Sequence, residues 1–152
     1  MTYKMKQAWD ELLMPMLRRP PEWQVAALCY RDAPEGRQVL LITSRDTGRW
    51  IVPKGWPIEG KKAAEAALQE AWEEAGVRDC AVVEGPVGCY DYAKRLDAGY
   101  EAPVEAQVYK VRVNELSDIY PEARQRQRKW VSPAEAAELV NEPGLKEILL
   151  EM

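Results

Sequence analysis

Three glutamates, Glu70, Glu73 and Glu74, are crowded at the end of one short stretch of the sequence, GWPIEGKKAAEAALQEAWEEAGV. Residues 63–75 within it are rich in Ala, Glu, Gln and Leu and contain no Pro or Gly, so they predict a helix that ends at Gly76. At about 100° per residue, all three carboxylates project from one face of the last turns of this helix.

Carboxylates in this position are unfavourable for two reasons. Like charges one helical turn apart repel by roughly 0.2–0.5 kcal/mol per pair, and the helix dipole favours cations at this end. A bound divalent cation removes both penalties, because hard cations such as Mg²⁺ take oxygen ligands. The alternative is a solvated acidic face, which is the usual meaning of a glutamate cluster on a helix. The spacing and the position at the helix end favour the metal site.

Composition limits the classes of protein that this chain can belong to. Its 152 residues predict a single domain over residues 1–152, and the net charge of −4 gives no general attraction to a nucleic acid polymer or to a membrane surface. No apolar run approaches the ~18 residues of a membrane span. The absence of histidine excludes His-dependent triads and histidine zinc sites. The three cysteines form no CxxC motif, which predicts reduced thiols and a cytoplasmic location.

The order of the elements predicts an α/β fold. Residues 1–21 predict an N-terminal helical arm that ends at two prolines, and residues 53–60 predict a loop that leads into the glutamate helix. The C-terminal part predicts two helices, the first with Ser132 as N-cap and Glu135 completing a capping box. Together these elements predict an α/β/α sandwich with helices on both faces of a mixed sheet. The predicted strands cover residues 23–30, 38–43, 50–52, 81–92, 104–113 and 129–131.

The stretch from Gly55 to Val77 resembles the Nudix box, the pattern of a glycine, five residues, a glutamate, seven residues and then R-E-U-x-E-E-x-G-U, where U is aliphatic. The three glutamates, both glycines and Val77 match, and Ala71 stands at an aliphatic position. The flanking segments LLITSRDTGRWIVPKGW and RKWVSPAEAAELV resemble the Nudix branch that includes diphosphoinositol polyphosphate and diadenosine polyphosphate hydrolases. A Nudix-type sandwich is therefore the expected fold.

Two positions depart from the box. Lys61 stands where the pattern has its first glutamate, and Gln69 stands where it has arginine. Because both members of the original pair are replaced, neither leaves an unpaired partner behind, and Lys61 is expected to reach Glu65 one helical turn on.

The resemblance implies a hydrolase that uses Mg²⁺ or Mn²⁺ to cleave phosphoanhydride bonds in diphosphoinositol polyphosphates or dinucleoside polyphosphates. It implies Glu73 and Glu74 as direct metal ligands, Glu70 as a ligand or water-mediated contact with a catalytic role, and the Lys54 carbonyl as a further ligand. Glu122 is the candidate general base. Two alternatives stay open, a Nudix pyrophosphatase acting on simple nucleoside diphosphate derivatives and an impaired Nudix module that only binds a phosphorylated ligand.

Cationic and aromatic side chains near the box suit a small phosphorylated partner. Arg45, Arg49 and Lys54 are candidates for binding phosphates through charge-assisted hydrogen bonds, although surface solvation explains each of them equally well. Basic residues alternate with glutamines over residues 124–128 and continue at Lys129, which predicts a solvated edge strand protected by charge, with one side of a polyanion site as the alternative for part of the run. Trp50 and Trp56 flank the predicted site, where core packing is the expectation and base stacking the alternative. A monomer or a homodimer is expected.

Overall fold

The computed structural model describes Thr2, residues 22–96, Gly99 and residues 101–152. The predicted N-terminal arm lies outside these residues, apart from Thr2, and stays a prediction. In the described part of the chain, no helix is both long and apolar enough to cross a membrane. All three cysteines are free thiols. The cytoplasmic location stays a prediction.

Within these residues, seven strands form one mixed sheet in the order β3-β2-β1-β6-β5, with β4 pairing β1 and β7 pairing β2. Strands β1 and β6 run parallel, and every other pair is antiparallel. The strands are β1 (Glu22–Ala33), β2 (Gly36–Thr43), β3 (Trp50–Ile51), β4 (Lys54–Gly55), β5 (Val77–Arg95), β6 (Glu101–Leu116) and β7 (Arg128–Val131).

In the described part of the chain, three helices cover the two faces of this sheet. Helix α1 (Ala63–Ala75) packs on one face, while α2 (Pro133–Leu139) and α3 (Pro143–Leu150) pack on the other. Strand β1 shows why both faces are apolar, because Ala27 packs with the α1 layer and Leu28 with the α2 and α3 layer. The predicted α/β/α sandwich is confirmed.

Local signals located the helices well. Helix α1 has the predicted bounds, and Gly76 ends it in the left-handed conformation at φ 74°. Ser132 caps α2 by accepting a hydrogen bond from the Glu135 backbone N–H at 3.1 Å.

The strand predictions needed correction. Strands β5 and β6 extend beyond residues 81–92 and 104–113, because they pair with each other almost from end to end. Residues 54–55 were predicted to lie in a loop, but they pair with Val25 and Ala26 as β4. In both cases hydrogen bonds to a distant strand decide the backbone conformation, and local composition does not report them.

Arg128 supplies the positive charge that the end of α1 lacks. Its guanidinium donates to the Ala75 carbonyl at 2.7 Å and to the Ser117 carbonyl at 2.9 Å, and it pairs with Asp118 at 2.7 Å. Carbonyls at a helix C-terminus have no partner within the helix, and a cation there is favoured by the dipole. The prediction of a solvated strand was therefore wrong for Arg128, whose side chain is 18% exposed.

We expect Arg128→Met to lower the free energy of unfolding by about 1–3 kcal/mol, because two partly buried carbonyls lose a charged donor. Urea unfolding followed by circular dichroism measures this change. Arg124→Met is the matched control, since Arg124 is exposed and lies four residues earlier. Equal losses in the two variants would show that Arg128 does not hold the helix end.

Candidate functional site

A cavity of about 610 Å³ opens where the loop after β2, strand β4, helix α1 and the end of β5 meet. Among the residues predicted for the site, Glu73 does not line this cavity; it lines a second depression, together with Lys61 and Gln69. The structure brings six predicted site residues together around the main cavity: Arg45, Arg49, Lys54, Glu70, Glu74 and Glu122.

The Glu70 carboxylate lies against Gly55 and accepts no hydrogen bond from a side chain or backbone group of the described residues. A Cβ atom at Gly55 would come within 2.3 Å of the Glu70 Cδ, so glycine leaves the space that this carboxylate uses. Burial, followed by repulsion from Glu74 and Glu73, raises the pKa of Glu70 to about 7. The Glu70 carboxylate therefore has no hydrogen-bonded or ion-paired cation among the described residues, although burial and two neighbouring carboxylates disfavour its charged form.

Glu74 is buried, and protein donors occupy both of its oxygens. Oε1 accepts from the Arg126 guanidinium at 2.9 Å, and Oε2 accepts from the Lys54 backbone N–H at 3.0 Å. Burial raises the pKa of Glu74, while the Arg126 charge opposes that rise. The bond to Lys54 also fixes strand β4 against the last turn of α1.

The sequence places Arg126 in a basic run but does not predict that it contacts the site glutamates. Its side chain is only 6% exposed, and it donates to Glu74, to Glu122 at 3.1 Å and to the Thr43 carbonyl at 3.0 Å. The prediction of a solvated edge strand was wrong here. Arg124 and Arg126 have the same residue type and the same alternation, so only the distant contacts of Arg126 distinguish them.

Glu122, the predicted base, does reach the cavity. Its carboxylate pairs with Arg126 at 3.0 Å and with Arg45 at 3.4 Å. Its backbone N–H donates to the Glu73 carbonyl at 3.0 Å, which attaches this loop to α1. Two guanidinium groups thus orient the carboxylate beside Glu74.

Arg49 and Lys54, the two other cations predicted for the site, differ in whether a neighbouring carboxylate already neutralises their charge. Arg49 pairs at 2.6 Å with Glu142, which is 6% exposed, so a neighbouring carboxylate already balances this charge. The Lys54 ammonium lies 4.9 Å from the centre of the Tyr92 ring. Burial lowers the pKa of Lys54 to about 8, although Glu74 opposes the change.

The outer wall of the cavity combines an aromatic ring with two further cations. Trp56 is 39% exposed and lies under the Lys94 ammonium, 5.5 Å from ring centre to nitrogen. Arg95 follows at the end of β5 and also lines the cavity. Trp50, in contrast, packs against the core, as expected for a tryptophan beside a core strand. The sequence reasoning missed Lys94 and Arg95, and their adjacency at a strand end was the only local signal.

The two departures from the box contact each other. The Lys61 ammonium donates to the Gln69 side-chain carbonyl, and the Gln69 amide donates to Glu73 at 3.0 Å. The expected pairing of Lys61 with Glu65 was therefore wrong, since Glu65 accepts from the Lys62 backbone N–H at 3.4 Å. Because a lysine on the loop can reach two turns along α1, the replacement pair still joins the loop to the helix.

A family model described as "NUDIX domain" matches residues 22–152. The chain belongs to the Nudix family. It is 35% identical over 114 residues to Nudix hydrolase 21, chloroplastic, of Arabidopsis thaliana, covering 74% of this chain and 54% of that protein. Nudix hydrolase 16, mitochondrial, of the same plant is 33% identical over 117 residues, covering 75% of this chain and 64% of that protein. The chain thus spans about half to two thirds of the length of these curated relatives.

Solved Nudix structures share the fold at low sequence identity. A C. elegans Ap4A hydrolase binary complex superposes with a TM-score of 0.64 at 18% identity, covering 86% of this chain and 93% of that one. The NUDIX domain of Shewanella oneidensis NrtR complexed with ADP ribose gives a TM-score of 0.63 at 15% identity, covering 99% and 96%. At these identities the likeness establishes the fold alone.

The Nudix box residues are compatible with a divalent cation, but not through three converging glutamates. Among the described residues, no group of three or more His, Cys, Asp or Glu side chains is arranged to hold a metal ion. Glu70 and Glu74 both line the cavity, and Glu70 has no donor of its own. One or two carboxylate ligands from the protein are enough for Mg²⁺, which takes water and substrate oxygens as its other ligands.

The raised pKa of Glu70 predicts how stability depends on pH when no divalent metal is present. Its folded-state pKa of about 7 exceeds the ordinary 4.5, so the stabilisation is complete below 4.5 and is lost as pH rises through about 7. Since this carboxylate is half-exposed, we expect native protein in EDTA to lose on the order of 1 kcal/mol relative to Glu70→Gln across this window.

Chemical denaturation at a series of pH values measures this difference. Glu147→Gln is the control, because Glu147 is an exposed glutamate on α3, away from the cavity. Parallel stability curves for native protein and Glu70→Gln would contradict the environment assigned to Glu70.

Proposed function

We propose that this Nudix chain is a divalent-metal-dependent hydrolase that cleaves a phosphoanhydride bond in a small polyphosphorylated molecule. One observation carries the proposal: a single cavity is lined both by carboxylates and by six cationic side chains. The carboxylates suit a metal ion, and the cations that no buried carboxylate neutralises suit phosphate oxygens. The cations are Arg45, Arg49, Lys54, Lys94, Arg95 and Arg126.

Glu70 would be the main carboxylate that holds Mg²⁺ or Mn²⁺, with Glu74 beside it and the Lys54 carbonyl as a further oxygen. When bound, the ion supplies charge neutralisation for the diphosphate and polarises the phosphorus that water attacks. Glu73 would influence the site from outside, since it faces the second depression and accepts from Gln69.

The cationic side chains would bind and orient the phosphates. Arg45 is 59% exposed at the cavity and Lys94 lies over Trp56, so both can turn toward a ligand. Lys54 lies deeper, beside Glu74, and would contact the phosphate next to the metal. Arg49 contributes less free charge because of its pairing with Glu142.

The reaction is a hydrolysis in which the oxygen of water bonds to phosphorus. The bridging P–O bond breaks, its oxygen leaves with the second phosphate, and the proton of the attacking water passes to a carboxylate base. We assign this base to Glu122, which Arg126 and Arg45 hold at the cavity. Water and the substrate are the only reactants that this step needs.

The number of cations supports diphosphoinositol polyphosphates or dinucleoside polyphosphates as the substrate class. Such ligands carry several phosphates beyond the one attacked, and the basic outer wall offers separate partners for them. A solved neighbour named as an Ap4A hydrolase is in line with this choice, although its likeness concerns the fold.

Two other functions have support from particular observations. The half-exposed Trp56 at the cavity is suited to stack on a base, which favours a simple nucleoside diphosphate derivative, and one neighbour is a Nudix domain complexed with ADP ribose. A module that only binds is favoured by the donors that already engage Glu74 and Glu122. A monomeric or homodimeric state stays a prediction.

The test is hydrolysis of a panel containing a diphosphoinositol polyphosphate, diadenosine tetraphosphate and ADP-ribose, with Mg²⁺ or with EDTA, followed by chromatographic separation and quantification of the products. We expect metal-dependent turnover that is fastest on one of the first two compounds. Glu70→Gln should lower kcat/KM at least 100-fold, equivalent to ~2.7 kcal/mol, because it removes the charged ligand that no protein donor occupies.

Glu147→Gln provides the control and should retain native kcat/KM. Preference for ADP-ribose would favour the simpler substrate class. Tight binding of a panel member without any turnover would replace the enzyme proposal with the binding module.

A further inference from the structure

Four glutamates surround the C-terminal end of α1, and protein donors engage all of them except Glu70. Glu74 and Glu122 share Arg126, and Glu73 accepts from Gln69. Glu70 accepts from none of the described residues. The site therefore contains one carboxylate that requires an external cation and three that the chain has already supplied with partners.

Arg126 occupies the position between two of these carboxylates. Its Nη2 lies 2.9 Å from a Glu74 oxygen and 3.0 Å from a Glu122 oxygen, and its Nη1 donates to the Thr43 carbonyl. The side chain is almost entirely buried, so this charge is held in place on several sides. A divalent ion bridging Glu74 and Glu122 would meet the guanidinium at contact distance, where like charges repel strongly in a site of low dielectric.

Glu73 is withdrawn from the cavity by a separate interaction. The Gln69 amide donates to it, and Lys61 in turn donates to Gln69. These are the two positions where the chain departs from the Nudix box. The Glu73 carboxylate, held by these contacts, lines the second depression, which Glu70 and Glu74 do not line.

We infer, on the basis of the proposed function, that the protein alone binds a single divalent cation at Glu70. In this account Arg126 is a positioning residue that supplies a fixed positive charge where a second ion would otherwise bridge Glu74 and Glu122. The absence of any three-member ligand group among the described residues agrees with this arrangement.

The test counts Mn²⁺ ions bound per chain without substrate, by isothermal titration calorimetry and by electron paramagnetic resonance of the free ion. Native protein should bind one ion and Glu70→Gln none. Arg126→Met should bind two, because it frees oxygens of Glu74 and Glu122. Arg126→Lys, which keeps the charge, should still bind one, as should the exposed control Arg124→Met.

A fifth variant keeps the test valid if Arg126→Met fails to fold. Since Glu122 pairs with Arg126 in the native site, Glu122→Gln should bind one Mn²⁺ with a Kd within about threefold of native. Two ions on native protein, or a lost or much weaker ion in Glu122→Gln, would overturn the single-cation inference while leaving a metal site. No ion on native protein would refute the proposed metal site, and this inference with it.

Discussion

The contact of Arg126 with Glu74 and Glu122 is the interaction on which the site depends. It joins the end of α1, the loop before β7 and the end of β2 at one buried guanidinium. Without that charge, two carboxylates would face each other in a poorly solvated space, which is costly when either lacks a partner. The arrangement therefore stabilises the fold and holds acidic groups where the proposed chemistry needs them.

The sheet and the helix end impose the rest of the geometry. Strand β4 pairs with β1 and presents the Lys54 N–H to Glu74, while Gly55 leaves space for Glu70. Arg128 compensates the C-terminal carbonyls of α1, so the helix end tolerates its glutamates. The same residues that form the framework thus determine which carboxylate stays open to a cation.

Local sequence predicted the parts of this molecule that local physics decides. Helix α1 and its stop at Gly76 follow from propensity and from one glycine conformation, and the layered fold follows from the order of elements. Arg126 could not be found in this way, because its partner Glu74 lies 52 residues away. The pair of Arg49 with Glu142 spans 93 residues, and it too depends on how the sheet brings distant segments together.

The central claim is that Arg126 neutralises Glu74 and Glu122 from within the protein, whereas Glu70 is the carboxylate left open to an external cation. A crystal structure of the protein grown with Mn²⁺, with anomalous diffraction recorded at the manganese edge, tests it most directly. The account predicts one anomalous peak bonded to a Glu70 oxygen, with the Arg126 guanidinium still between Glu74 and Glu122. A peak between Glu74 and Glu122 with Arg126 displaced, or no peak in the cavity, would contradict it.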